Sequence, residues 1–410
     1  MELTVAELFA GVGGFRVGLN KIKDFDKKTG LAKENKIWDF VWGNQFEPST
    51  KVQHAYNCYV KRFGIENNSN EDINKVNKKS IPEHNLLVGG FPCQDYSVAR
   101  SLSGEKGIEG KKGVLFWDIK DVLIEKKSPF VLLENVDRLL KSPASRRGRD
   151  FAIMLKTLDE LGYYVQWRVI NAGDYSMPQK RKRVFIFAFK KNLKYAKEFR
   201  KNKENIFNKV FPVKIDSEKE INLNKYKNIL KISDEYSEGK FFESGIMIEG
   251  TVFHYNVDSI KEDIFSLKEV IEKAKSYNDF DLKEYLVTDE KLEKWKYLKG
   301  GKRIERKTKE GHSYIYSEGN MAFPENMEEP ARTLLTSEGT TNRSSHIIYD
   351  NKQKKYRTLT EIECEIIQMF PPNWTDTMPK RNRYFMMGNA LVTGIISRLE
   401  PTLKKIIENE

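Results

Sequence analysis

The sequence is poor in cysteine and histidine, the residues that most often build disulfide frameworks and transition-metal sites. Three cysteines, Cys58, Cys93 and Cys364, are spread over 410 residues, and there are five histidines. Cysteines this far apart form no disulfide framework, which is typical of a protein in a reducing compartment. There is no Cys-x-x-Cys pair, so the sequence argues against zinc, and we expect no metal.

Long apolar runs are also missing. No segment approaches the roughly 20 apolar residues that a membrane-spanning helix needs. Glu2 and Glu7 interrupt the start of the chain, where a signal peptide would be apolar. These absences predict a soluble protein of the cytoplasm with no membrane partner.

The charges do not balance. The chain has 71 Lys and Arg residues against 59 Asp and Glu residues, a net charge of +12. Such an excess favours a polyanionic partner, although a lysine-rich chain that is merely well solvated is an equally good interpretation. A length of 410 residues exceeds what one ordinary core supports, so we expect two domains.

Short apolar runs alternate with helical patterns through the first half of the chain. The predicted strands are 5–9, 40–42, 86–88, 130–133, 163–170 and 184–189, and the predicted helices are 15–22, 50–63, 115–125 and 150–161. This alternation predicts an α/β fold with a mostly parallel sheet.

The composition changes near residue 190, where a stretch rich in lysine and asparagine begins. Regular structure returns at Thr360-Glu-Ile-Glu363, a capping-box spacing that begins a helix. A closing helix near 391–407 is expected to pack back on the first domain. We therefore predict one domain of residues 1–190 plus 375–410 and a second, smaller domain of residues 191–374.

A glycine-rich loop follows the first predicted strand. Gly11, Gly13 and Gly14 allow a tight turn and a close approach to a ligand at the start of the next helix. Arg16 occupies the position where a dinucleotide-binding loop has its third glycine, which disfavours a NAD enzyme. A ligand with an adenosine and an amino-acid carboxylate, but no phosphate, tolerates this change, and Phe15 could stack on its adenine. Such loops are also common structural turns.

Polar residues follow the second predicted strand, at positions where such a ligand would need hydrogen-bond partners. An acidic residue near the end of the second strand usually holds the ribose. Here Gln45-Phe-Glu47 follows that strand, so the acid is either displaced to Glu47 or replaced by Gln45. Asp72-Ile73 precedes the next strand and could bond the adenine amino group. Each of these is alternatively a surface loop residue.

Cys93 follows an apolar strand in the run Leu86-Leu-Val-Gly-Gly-Phe-Pro-Cys-Gln-Asp95. The Gly-Gly pair and the proline predict a turn that exposes the thiol at the ligand edge of the sheet. The segment 97–114 combines glycines with basic residues and is typical of a lid over an anionic substrate. The alternatives are a cysteine buried as a small hydrophobe and a disordered surface loop.

Glu134 ends another apolar strand, and a poorly solvated carboxylate has a raised pKa that suits proton donation. Arg181 and Arg183 lead into the apolar strand predicted at 184–189. Alternation places both arginines on one face, where they could anchor a phosphate or orient Glu134. The alternative is an edge strand with solvated charges.

Together these residues resemble the DNA (cytosine-5)-methyltransferases of bacterial restriction–modification systems. The motifs that carry the resemblance are Phe9-Ala-Gly-Val-Gly-Gly-Phe15, Gly90-Phe-Pro-Cys-Gln94, Glu134-Asn-Val136, Gln179-x-Arg-x-Arg183, Arg332-Thr-Leu-Leu-Thr336 and Gly388-Asn-Ala-Leu-Val392. The match covers roughly 1–190 and 330–400. It implies a Rossmann-like S-adenosylmethionine-dependent sheet, with the unmatched middle as a target-recognition domain. Gln45 departs from the acid that the family usually has.

The resemblance implies a covalent mechanism on a flipped cytosine in double-stranded DNA, with Cys93 attacking C6 and Glu134 supplying a proton near N3. The predicted catalytic residues are Cys93, Glu134, Arg181 and Arg183. The predicted S-adenosyl-L-methionine contacts are Phe9, Gly11, Gly13, Gly14, Phe15, Gln45, Phe46, Asp72, Ile73, Pro92, Leu115 and Asn389. The predicted DNA contacts are Gln94, Ser97, Arg100, Gln179, Arg332, Thr336 and Arg343.

Two other functions remain open at this point. An RNA (tRNA) cytosine-5 methyltransferase of the same fold would share every motif, although the large middle region favours readout of duplex DNA. A catalytically inactive DNA-binding protein is the other alternative, and the intact Cys93, Glu134 and Arg183 argue against it. We expect a monomer whose functional partner is a cognate restriction endonuclease.

Overall fold

In the computed structural model, which describes residues 1–91, 115–277, 281–308 and 311–410, a ten-stranded sheet forms the centre of the protein. Its strands are β1 (Thr4–Leu8), β2 (Asp39–Asn44), β3 (Asn68–Ser69), β4 (Leu86–Gly90), β5 (Phe130–Val136), β6 (Tyr163–Asn171), β7 (Lys182–Lys190), β8 (Val213–Asn222), β9 (Ser244–Ile248) and β10 (Thr251–Ser259). Two separate two-stranded sheets pair β11 (Lys302–Lys307) with β12 (Ser313–Glu318) and β13 (Ile347–Asp350) with β14 (Lys355–Thr358).

Helices cover the sheet and connect many of its strands. They are α1 (Gly14–Leu19), α2 (His54–Phe63), α3 (Leu115–Lys126), α4 (Arg149–Glu160), α5 (Lys194–Asn202), α6 (Ile206–Val210), α7 (Ile229–Glu235), α8 (Leu267–Lys275), α9 (Asp289–Lys299), α10 (Glu361–Ile367), α11 (Lys380–Asn389) and α12 (Thr393–Glu408). No helix of the described ranges is both long enough and apolar enough to cross a membrane.

The strand order is β3-β2-β1-β4-β5-β7-β6-β9-β10-β8. The strands from β3 to β5 pair in parallel, as the alternation of strands and helices predicts. From β5 onward every pairing is antiparallel, so the prediction of a mostly parallel sheet is wrong for this half. For β6 and β7 the reason is local: only residues 172–181 separate the two strands, and a parallel pairing needs a crossover of about a dozen residues or more.

This mixed order brings several predicted site segments to one edge of the sheet. β1, β2, β4 and β5 are parallel, so the residues that follow each of them leave the sheet at the same edge. β7 runs the other way, and its second residue, Arg183, pairs with Val136 at the end of β5. The start of β7 therefore meets the carboxyl ends of the parallel strands.

The closing helix packs on the first half of the chain, as predicted. α12 lies against α1, where Gly18 leaves so little room that a Cβ atom would come within 2.5 Å of Ile396. The predicted capping box is also confirmed, because Thr360 and Glu363 each bond the other's backbone N–H at the start of α10, at 3.2 and 2.8 Å. The last helix thus completes the core around β1.

The ten-stranded sheet extends beyond residue 190. β9 pairs with β6, and β10 and β8 continue the sheet from there. The segment 213–259 therefore shares a sheet with the first strands of the chain. The domain boundaries at 190/191 and 374/375 stay a prediction.

Candidate active site

The glycine loop connects β1 to α1 at the ligand edge of the sheet. Gly11 and Gly13 adopt φ angles of +56° and +89°, a left-handed conformation that favours glycine. The Gly11 N–H donates a 2.7 Å hydrogen bond to Oε1 of Gln45, which follows β2. A Cβ atom added at Gly11 would meet no described atom within 4 Å, so there is open space above this residue. The loop is thus held in shape by Gln45 and is open to a ligand.

Arg16 stands where a dinucleotide loop has glycine, and the structure shows what it does there. Its guanidinium pairs with Glu34 through bonds of 2.7 and 2.9 Å and lies 4.2 Å from the centre of the Phe63 ring. Phe15, which was predicted to stack on adenine, is 3% exposed and packs in the core with Val5 and Leu19, so its contact with a ligand stays a prediction. Every residue of α1 except Arg16 is buried, so this side chain lies inside the protein.

The other predicted cofactor residues differ in how much of their side chains they expose. Phe46 and Asp72 are half-buried beyond the glycine loop, whereas Ile73 is 3% exposed and belongs to the core. Glu47 is half-buried, and burial raises the pKa of its carboxyl. Phe9 has a φ of +54° and packs partly against the core. The Gln45 amide and the Glu47 carboxyl thus follow β2, and the Asp72 carboxyl follows β3, a donor set that suits a nucleoside with an amino-acid tail.

Glu134 and Arg183 form an ion pair at the end of β5, with Oε1 of Glu134 3.0 Å from Nε of Arg183. Their side chains are 13% and 17% exposed, so the pair is largely but not completely buried. Burial raises the pKa of Glu134, and the charges of Arg183 and Arg181 oppose that rise. Gly90 of β4 lies beside Glu134 in the sheet, and a Cβ there would come within 3.2 Å of its Oε2.

Asn135 connects this pair to the end of β4, a role that the sequence reasoning missed. Its side chain is 1% exposed, and its Nδ2 donates a 2.8 Å bond to the carbonyl oxygen of Phe91. Phe91 is the last described residue before the segment that holds the predicted nucleophile. The signal was available, because a buried amide in an apolar strand requires a hydrogen-bond partner.

Five predicted site residues lie outside the described residues: Pro92, Cys93, Gln94, Ser97 and Arg100. The predicted lid, 97–114, lies there as well. Leu115 is half-buried at the first position of α3.

Arg181 does not share the role of Arg183. It is 1% exposed, and it donates bonds of 3.0 Å to the carbonyl oxygen of Leu334 and 2.9 Å to that of Gly388. Burial, and then the charge of Arg183, lower its pKa. The prediction that both arginines face substrate is wrong for Arg181, since the bend before β7 turns its side chain into the protein. It holds two distant segments beside the site.

Arg181 and the segments around Leu334 and Gly388 form a wall beside the active site, and this wall also contains Gln179, which was predicted to contact DNA. Gln179 is fully buried, accepts a 3.0 Å bond from the N–H of Leu334 and reaches the carbonyl oxygen of Ile367. Its amide therefore satisfies backbone groups and offers nothing to DNA. Asn389 is exposed at the end of α11, next to the wall.

The predicted DNA contacts in the segment 332–343 are largely occupied within the protein. Arg332 pairs with Glu325 through bonds of 2.8 and 2.6 Å. The carbonyl oxygen of Thr336 accepts a 2.7 Å bond from Arg381. Arg343 lies 3.2 Å from Oε2 of Glu318 and bonds backbone carbonyls. Arg332 and Arg343 therefore stabilise the segment 332–343 through contacts within the protein.

The fold matches known methyltransferase structures. The crystal structure of S. pombe Dnmt2 methyltransferase aligns over 98% of this chain and 99% of that chain, with a TM-score of 0.58 and 16% identity. The likeness shows a shared α/β methyltransferase fold, which confirms the predicted fold class.

Sequence comparison defines the family. The model of the C-5 cytosine-specific DNA methylase family matches residues 3–405. The type II methyltransferase M.Sau3AI of Staphylococcus aureus is 47% identical over 99% of this chain and 96% of its own length. M.HhaI of Haemophilus parahaemolyticus is 35% identical over 47% of this chain and 50% of its own length. The chain therefore belongs to the C-5 cytosine-specific DNA methylases, and the predictions of an enzyme and of cytosine-5 methylation of DNA are confirmed.

Proposed function

We propose that this protein methylates C5 of a cytosine rotated out of duplex DNA, through a covalent bond between Cys93 and C6, with S-adenosylmethionine as the methyl donor. The observation that carries the proposal is the ion pair of Glu134 and Arg183 beside the end of β4, from which the chain runs to Cys93. An acid and a cation meet at one edge of the sheet, where an α/β fold binds its ligands, and in the sequence Cys93 comes two residues after Phe91.

The residues around the glycine loop fit the donor. The open space over Gly11 admits a ligand against the backbone, and Glu47 and Asp72 supply carboxylates for the hydroxyl and amino groups of a nucleoside. Gln45 keeps the loop in position through its bond to Gly11. When bound, the donor supplies an electrophilic methyl group for C5.

The protein's own residues make C5 reactive. The Cys93 thiolate forms a bond to C6 while Glu134 gives its proton to N3, which leaves C5 with the character of an enamine carbon. After C5 has gained its methyl group, it loses its proton to water, the bond from sulfur to C6 breaks, and N3 returns its proton to Glu134. Thiolate and acid are thus regenerated.

Arg183 orients the acid and stabilises the adduct. Its Nε holds Oε1 of Glu134, so the other carboxyl oxygen is left to face the cytosine ring. Rotating the nucleotide out of the helix costs a few kcal/mol, and the contacts of a closed site offset this.

We further propose a role in restriction and modification. The relatives M.Sau3AI and M.HhaI are named type II methyltransferases, and modification by such an enzyme protects DNA against a cognate endonuclease. We propose that the chain acts as a monomer in the cytoplasm.

Trapping with a duplex that contains 5-fluorocytosine tests the covalent route, because fluorine at C5 blocks the final proton loss. We expect a denaturation-resistant adduct with the wild type and none with Cys93→Ala. Cys58→Ala is the matched control, since Cys58 is fully buried and burial raises its pKa to about 12. An adduct that persists in Cys93→Ala, or is absent from the wild type, would contradict the proposal.

A methyl-transfer assay on duplex DNA and on tRNA compares the substrates directly. We expect transfer to duplex DNA, and bisulfite sequencing of DNA from cells that express the chain should show one methylated sequence context. Activity on tRNA alone would overturn the proposal.

A further inference from the structure

The hairpin formed by β11 and β12 stands apart from the rest of the fold. It is a two-stranded sheet of its own that follows α9, and it pairs Lys302 with Glu318 at its base and Lys307 with Ser313 near its tip. Each strand has six residues, so the hairpin is about 20 Å long. We call residues 302–307 and 313–318 the ribbon.

One face of the ribbon is engaged in contacts within the protein. The guanidinium of Arg306 lies 3.8 Å from the centre of the Tyr316 ring, and the Tyr316 hydroxyl donates a 2.7 Å bond to Glu318. Glu318 also pairs with Lys302 at 3.3 Å. Two of these contacts, from Arg306 to Tyr316 and from Lys302 to Glu318, join the two strands of the ribbon.

The other face is exposed and makes few contacts. Alternation places Arg303, Glu305, Lys307, Ser313, Ile315 and Ser317 there. All six are exposed, and Ile315 is 68% exposed. Within the described ranges, no ion pair engages Arg303, Glu305 or Lys307.

Arg343 fixes the base of the ribbon. Its guanidinium bonds the carbonyl oxygens of Leu298 and Gly300 at the end of α9, and that of Gly319 just after β12. It also pairs with Glu318 at 3.2 Å. One side chain therefore joins both ends of the ribbon to the segment 332–343, whose start is held beside the active site by Arg181.

A two-stranded hairpin in water is only marginally stable unless something covers it. The ribbon carries Lys302, Arg303, Arg306 and Lys307 against two glutamates, so its charge suits a polyanion. The major groove of DNA is about 12 Å wide and admits a two-stranded ribbon of this kind.

We propose that the ribbon inserts into the major groove of duplex DNA, with the Arg303 and Ile315 face toward the base edges, and that Arg343 is the positioning residue that sets its angle to the active site. The inference rests on the proposed function, which supplies the DNA. Arg303 is suited to a guanine edge and Ile315 to a thymine methyl group, whereas Lys307 is suited to a phosphate.

The test compares the full-length double variant Arg303→Ala/Ile315→Ala with Lys214→Ala/Ile215→Ala. The control pair lies on β8 and is also exposed, with Ile215 55% exposed. Dissociation constants are measured for a duplex with the methylated sequence and for one without it, together with cofactor affinity. The ribbon variant should bind the target duplex about 10- to 100-fold more weakly, the other duplex much less so, and the cofactor as before.

A second variant separates phosphate from base contacts. Lys307→Ala should weaken the binding of both duplexes by the same factor and reduce the salt dependence of binding by about one charge. The inference is overturned if the ribbon variant binds both duplexes as tightly as the control does, or if its affinity for both duplexes falls by the same factor. A change in the monomer–dimer equilibrium in place of a change in DNA affinity would also overturn it. A wild type that methylates no duplex would overturn the proposed function itself, which is a separate result.

Discussion

Nε of Arg183 lies 3.0 Å from Oε1 of Glu134, on an antiparallel strand that begins where the strand of Glu134 ends. Two opposing effects act on the pKa of the Glu134 carboxyl. Burial favours its protonated form, and the adjacent cation favours the ionised form. Such a balance suits a group that must both donate and recover a proton within one turnover.

Replacing the acid tests its role directly. Glu134→Gln cannot give a proton to N3 but keeps the size of the side chain, so methyl transfer should slow by about 10²- to 10⁴-fold. Cofactor affinity, measured by calorimetry, should stay unchanged because Glu134 lies away from the glycine loop. Turnover equal to that of the wild type would remove Glu134 from the mechanism.

The pH dependence of single-turnover methylation reports on the ion pair of Glu134 and Arg183. The reaction needs protonated Glu134, so the rate should fall as the pH rises through its pKa. Arg183→Gln removes a charge that lowers this pKa, so the alkaline limb should move to higher pH while the maximum rate falls. Arg183→Lys keeps the charge and should move the limb less. A limb that moves to lower pH in Arg183→Gln would contradict the assignment.

Replacing Gln45 tests whether its side chain keeps the glycine loop in position. Gln45→Ala removes the acceptor of the Gly11 N–H and should weaken donor binding several-fold, since one such hydrogen bond is worth about 1 kcal/mol. Gln45→Glu keeps an acceptor at the same place and should bind nearly as well as the wild type. Titration with S-adenosylhomocysteine measures both. Equal affinity in all three proteins would show that the bond does not shape the site.

Glu7 is one of the groups through which stability depends on pH. It is fully buried in β1, accepts a 2.9 Å bond from the Tyr59 hydroxyl, and has its pKa raised from 4.5 to about 7 by burial. A raised pKa stabilises the fold below pH 4.5, and this contribution is lost as the pH rises through 7. Over that interval the wild type should lose about 3 kcal/mol relative to Glu7→Gln.

Urea unfolding at several pH values measures this loss for Glu7. Replacing the exposed Glu66 with glutamine is the control and should leave the pH dependence as it is in the wild type. Parallel curves for the wild type and Glu7→Gln would refute the prediction.

Gly388 tests the wall beside the active site. A Cβ there would come within 2.4 Å of the backbone of Leu335 and Thr336, so Gly388→Ala should destabilise the fold by about 1–3 kcal/mol. It should also lower methylation, because it displaces the segment that Arg181 holds. Gly319→Ala meets no described atom within 4 Å and should be neutral in thermal unfolding. A stable Gly388→Ala variant would show that the wall can shift freely.

The sequence predicted best those site residues that lie at the ends of strands. Glu134 and Arg183 each adjoin an apolar strand of one sheet, so their meeting at an edge could be expected. Arg181 was predicted less well, because its partners are Leu334 and Gly388, more than 150 residues away in the chain. Contacts between such distant segments leave no local pattern.

Phe15 and β8 show two further limits. An aromatic residue after a glycine loop can face a ligand or the core, and only the packing of α12 against α1 decides between them. In β8, residues 214–220 are all exposed, so the strand lacks the apolar alternation by which strands are recognised. Its place is set by pairing with β10 rather than by burial.

The ribbon's attachment also bears on how such enzymes diverge. Within the described part of the chain it shares no strand pairing with the ten-stranded sheet, and Arg343 secures it from outside through backbone carbonyls and the single side chain of Glu318. Backbone carbonyls are present whatever the side chains are, so nearly every residue of the ribbon can change without loosening its support. Natural selection, or a designer exchanging hairpins between relatives, can therefore vary this element while the chemistry at the sheet edge stays intact.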